Sequence, residues 1–235
     1  MTQAANLAAE GSNVNSSGVL QPAGGGTGTN ITSNDLTVNG LTVGKGGGSV
    51  STNTAVGASA LGSNTSGFNN VSVGYVSLAS TTTGNDNVGF GRGTLFANTT
   101  GAANTALGSQ ALPSNTTASN NTAVGAAALQ NNTTGADNVA VGYQAMVTNT
   151  TGTRCTAMGV GAMASNSSGA TNEAFGWNAL YFNTVGTFNT ANGMNALVAN
   201  TDGISNTAIG WGALLNNQIG NNNSAIGVRA GQNIT

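Results

Sequence analysis

The sequence predicts an all-β fold, a parallel β-solenoid (a β-roll or β-helix) of about eleven 17-residue turns, and three observations carry that expectation. First, a glycine recurs every 17 residues, at Gly57, Gly74, Gly91, Gly108, Gly125, Gly142, Gly159, Gly176, Gly193, Gly210 and Gly227, with no insertion or deletion between copies. A period kept to the residue means that each copy sits on the next, because loops otherwise tolerate changes of length. Second, the residues between these anchors fall into fixed columns. Third, the chain of 235 residues is 38% hydrophobic and only 4% charged. That is too little charge for an ordinary globule or an ordinary disordered chain. The apolar residues are few but strictly placed.

Residues 1–34, rich in Gly, Ser, Asn and Ala with Gly24-Gly25-Gly26 beside Pro22, have little to bury. They are expected to form an attachment arm that is flexible or ordered by a partner. Residues 35–51 hold Leu36-Thr37-Val38 and Leu41-Thr42-Val43 around Asn39-Gly40. This reads as a short hairpin, or two irregular strands, leading into the stack, followed by a glycine-rich joint from Lys45 to Val50.

Residues 52–235 are the repeat. One residue before the anchor lie Val56, Val73, Phe90, Leu107, Val124, Val141, Met158, Phe175, Asn192, Ile209 and Ile226, ten of eleven apolar; four after it lie eight Leu and two Met, then Gly231. These two columns are expected to be the core. Two before and three after the anchor, nine of eleven residues are Ala. Small side chains in a fixed column imply close packing on that face. Asn fills ten of eleven positions four before the anchor, Cys155 being the exception, and nine of eleven seven after it. Stacked amides can bond along such columns. A second glycine column, Gly67 to Gly220 with Ala118 as its one substitution, is expected to supply turn conformations that a Cβ disfavours.

A helical solenoid is excluded, since a helix pair needs about 30 or more residues and this unit is broken by glycine. Two short strands and two turns per unit fit instead, stacked in parallel at about 4.8 Å into a rod roughly 50 Å long. Two large apolar side chains per turn, at roughly 1.5–3 kcal/mol each, cannot order 17 residues at roughly 1–2 kcal/mol apiece. The alanine face is therefore expected to meet copies of itself, in a parallel homotrimer with the Ala columns near the shared axis.

The unit Asn-Thr-Ala-Val-Gly-x-x-Ala-Leu, as at residues 53–61 and 121–129, resembles the head repeat of YadA-like trimeric autotransporter adhesins. That resemblance covers residues 52–235 and implies a trimer of parallel β-rolls. Those adhesins also carry a signal peptide and a membrane-embedded carboxy-terminal barrel, neither of which is read in this sequence. Long repeats of this kind behind a Gly-Gly-Thr-Gly segment, here Gly25–Gly28, look more like bacteriophage tail fibres. The likeness implies a structural virion protein for host-cell attachment, assembled in the host cytoplasm. Its arm would join a tail or baseplate protein, and its distal end would meet a host surface glycan or protein. A surface adhesin, a self-assembling extracellular filament and an ice-binding β-solenoid with Thr65 to Thr201 as its array are the alternatives. Because the last turn stops at Thr235, that end is expected to be processed or capped by another protein.

Catalysis and cofactors are not expected. The sequence has no histidine, and Asp86 and Asp137, the two acids sharing a column, stand three turns apart. Carboxyl pairs for glycoside hydrolysis need roughly 5–9.5 Å. There is no metal-binding Asp column. A net charge of -2 gives no field for nucleic acid, and no stretch approaches the roughly 18 apolar residues of a membrane span. Trp177, Tyr181, Phe182 and Trp211, in the last third, are the candidate receptor-contact residues, with the alternative that such rings cover subunit seams.

Overall fold

The computed structural model describes residues 13–14, 20–21, 36–38 and 41–234; most of the expected attachment arm lies outside these. Within the arm, β1 (Asn13–Val14) pairs antiparallel with β2 (Leu20–Gln21). The lead-in is an antiparallel hairpin of β3 (Leu36–Val38) and β4 (Leu41–Gly44), whose linking Asn39-Gly40 lies outside the described residues. Strand β4 then pairs antiparallel with β5 (Thr54–Val56), the first strand of the repeat. From there eleven three-residue strands, one per repeat, stack in parallel to β15 (Ser224–Ile226). Each partners its neighbour at a shift of 17, as in Val139↔Thr156 and Ala140↔Ala157. The expected solenoid is present.

Each repeat contains one strand rather than two. Beyond the anchor the chain turns through left-handed residues, and in the turn of Gly125 these are Ala127 (φ 58), Leu129 (φ 51) and Asp137 (φ 60). A left-handed residue ends a strand, so the far wall is a series of turns. Its backbone groups still bond along the stack: Leu61 N–H donates to Ser77 O at 3.0 Å and Thr65 N–H to Thr82 O at 2.9 Å. The ladder is satisfied without a second strand.

Of the two columns expected to form the core, the Leu and Met column four after the anchor is buried, but alternation along the single strand turns the other outward. In the strand Thr122–Val124, with Asn121 before it, Asn121 and Ala123 point inward and are fully buried, while Thr122 and Val124 are only partly covered. The column one before the anchor is therefore outside: Phe90 is 57% and Ile226 75% exposed. Both Ala columns line the interior instead, with the Leu column between them, and nearly all their members are inaccessible. Alanine suits this place because the strand and the far wall approach closely. Where Ser77 and Thr94 replace Ala on the far wall, the strand carries Gly89, and a Cβ there would lie 2.6 Å from Ser77 Oγ and 2.8 Å from Thr94 Oγ1. The trimer expectation cannot rest on an alanine face.

Two asparagine ladders hold the corners. In the first, the side-chain oxygen accepts the backbone N–H of the same column on the next rung, as from Asn70 N to Asn53 Oδ1 at 2.9 Å, with a break after Cys155. The Asn amide donates to the second glycine column, as Asn138 Nδ2 does to Gly152 O at 2.8 Å. In the second ladder amides bond directly: Asn149 Nδ2 donates to Asn132 Oδ1 at 2.7 Å, and Asn166 Nδ2 to Asn149 Oδ1 at 2.8 Å. The second-column glycines are needed for space rather than for φ. They are not left-handed, but a Cβ on Gly169 would meet Gly186 O and Asn166 Oδ1, each at 2.5 Å.

Thr81 interrupts the second ladder, and its Oγ1 and the neighbouring Asn64 Oδ1 are buried without a hydrogen-bond partner. Replacing Thr81 by Asn is expected to supply the missing donor. A gain of about 1–3 kcal/mol follows from satisfying a buried acceptor, to be read as a higher urea midpoint with unchanged slope.

Candidate functional site: an exposed apolar face and its aromatic border

Among the described residues, 22 large apolar side chains stand exposed, and twelve of them lie in the two columns that flank the anchor glycine. The preceding column projects from the outer side of the strands, and the following one includes Tyr75, Tyr143, Val160, Trp177, Met194, Trp211 and Val228. Beside them, three before the anchor, the strands carry six Thr, three Val, one Ser and Glu173. One long side of the rod is thus an apolar face with a more polar margin. Exposed apolar surface on this scale is uncommon on a wholly solvated wall.

The candidate contact residues are not all brought together. Trp177 and Trp211 share a column two rungs apart with Met194 between them, and both are exposed. The Arg229 guanidinium lies 4.4 Å from the Trp211 ring centroid, a cation–π contact with the following rung. Tyr181 and Phe182 lie past the buried Ala179-Leu180 pair, on the other side of the turn. Their rings meet edge to face at 4.8 Å, with Phe182 52% exposed. The sequence offered these four rings together as receptor contacts and placed the apolar column one before the anchor inside. The strand's alternation was the signal that could have found it.

The other candidates resolve locally. In the Thr column eight after the anchor the hydroxyls turn to the backbone, as Thr133 Oγ1 donates to Thr150 O at 3.0 Å and Thr184 Oγ1 to Thr201 O at 3.2 Å. Such hydroxyls are already committed along the rod, which weakens the ice-binding alternative. Cys155 is buried in its ladder position, where its Sγ lies 3.4 Å from Gly169 O, and burial pushes the thiol pKa up. Asp86 and Asp137 each accept a side-chain bond from the preceding rung, from Asn69 and Asn120 at 3.0 Å. The eleven anchor glycines all have φ between +123 and +146. Among the described residues no three His, Cys, Asp or Glu stand together, and no helix is long and apolar enough to cross a membrane.

No protein-family model, curated protein or solved structure matches the chain.

Proposed function

We propose that this chain is a non-catalytic structural fibre protein: a parallel homotrimer whose protomers meet through the outer apolar face, acting as a bacteriophage tail fibre for host attachment. The observation that carries the reading is the apolar column running beside the anchor along a rod of constant cross-section. A soluble monomer rarely leaves so long a strip uncovered. In this arrangement the column from Val56 to Ile226 faces the shared axis, the Thr-rich column lies at the rim, and Trp177 and Trp211 lie at the seam. Tyr181 and Phe182 remain outside, available to a host glycan or protein, while residues 1–34 attach the fibre to a tail or baseplate protein. The repeat's likeness to trimeric adhesin heads and tail fibres supports the same reading. A surface adhesin would use the same faces.

Light scattering on the purified chain tests it. A discrete trimer is expected, and Val141→Glu, which sets three carboxylates against the axis, is expected to reduce the mass to one protomer. A wild-type monomer would overturn the reading. With the trimer in hand, the Tyr181→Ala/Phe182→Ala double variant is expected to keep its mass and lose binding to cells that the wild type coats. Retained binding would remove the contact role of those rings.

A further inference from the structure

A trimer of repeat rods has a difficulty of its own. Every rung presents nearly the same surface, so a copy displaced along the axis by one rung, about 4.8 Å, finds almost the same contacts. Something must distinguish the aligned register from the slipped ones.

Asn192 is the one polar residue in the eleven-membered outer column, between Phe175 on one rung and Ile209 on the next. It is exposed, and its amide makes no hydrogen bond among the described residues, whereas the asparagines of both ladders are bonded into the rod. Nothing in the monomer explains why this position departs from its column.

We propose that Asn192 sets the axial register of three copies of this chain. This rests on the trimer reading above, with a second copy as the occupant of the face. Eleven rungs at about 4.8 Å by roughly four residues of width give a face on the order of 600 Å² before side-chain relief, close to the roughly 800 Å² per partner of a specific interface. Only a partner with the same rung spacing can cover every rung, and a copy of the chain has that spacing by construction. Aligned, three Asn192 amides meet at one level, and each can donate to one neighbour and accept from the other, closing a ring. When one copy slips by one rung, its amide is buried against Phe175 or Ile209 without a partner and the ring cannot close. A lone polar residue in an apolar seam fixes register in coiled coils for the same reason.

The test uses two full-length chains, a tagged one with Val124→Cys and an untagged one with Val141→Cys. These positions share the outer column one rung apart, so a one-rung slip sets them level, and the natural Cys155 is buried. The chains are assembled together and oxidised. Aligned trimers link like with like, so a tagged-to-untagged disulfide reports a slip. With Asn192 present it is expected only at background; with Asn192→Val in both chains it is expected to rise at least about tenfold, from the loss of the buried-amide penalty. Trimers of unchanged mass in which Asn192→Val gives no rise would overturn the register role and leave the trimer standing. A monomeric wild type by light scattering would remove both.

Discussion

Gly125→Ala is expected to be among the most damaging single methyls that can be added to this rod. Gly125 has φ +130, and a Cβ built there would stand 2.5 Å from Gly142 O and 2.7 Å from its carbonyl carbon. The obstacle is the backbone of the next rung, which cannot move aside without breaking the register of every turn above it. Backbone strain and overlap together place the loss at about 4 kcal/mol or more. The control is Gly227→Ala, with a similar φ of +123 but only Ala230 Cβ nearby, at 3.9 Å. Chemical denaturation should show a much lower midpoint for Gly125→Ala and a smaller loss for Gly227→Ala. Equal losses would mean that φ alone matters and that the rung above does not.

Asn149→Leu is expected to come next. The Asn149 amide donates to Asn132 Oδ1 at 2.7 Å and to Gly152 O at 3.1 Å, and its oxygen accepts from Asn166 at 2.8 Å. Leucine keeps the branching in a larger volume, but it leaves the buried Asn132 oxygen without a donor and the Asn166 amide without that acceptor, and it removes the bond to Gly152. A loss of about 2–4 kcal/mol follows. Hydrogen exchange should place it, with faster exchange in the rungs around Asn132 and Asn166 and little change near the lead-in hairpin. The natural break at Thr81 is the reverse experiment, since the chain already carries one interrupted ladder and the missing amide can be restored.

The 17-residue spacing was enough to read the stack and its register, because a fixed spacing leaves parallel rungs one solution. The asparagine ladders were legible for the same reason. What misled was size. Large side chains were assigned to the core and alanine to an interface, but a coil this slim has room for one leucine per rung between two alanine walls. Val124 is outside because Ala123 is inside, and the pair could have been ordered by alternation alone. The left-handed conformation of Leu129 was not legible, since leucine has no preference for positive φ and occupies it under the pull of the core. The second glycine column was legible as a requirement but not in its cause. Of the candidate site, the sequence located the distal rings, with Trp177 and Trp211 one after the anchor in an outward column, but not that Tyr181 and Phe182 lie apart from them beyond the buried pair.

Those left-handed residues have a kinetic consequence. In each turn but the last, two or three non-glycine residues hold a conformation that an isolated chain disfavours by roughly 1 kcal/mol each. A single turn therefore has little tendency to form alone and needs a completed neighbour whose backbone can receive it. The hairpin of β3 and β4 is the one paired element next to the stack that closes without such a neighbour, and β4 presents its edge to β5. Growth is then expected to be vectorial, with the hairpin as the primer and each finished turn templating the next, so that the rod lengthens toward its carboxy end in the direction in which a ribosome delivers it.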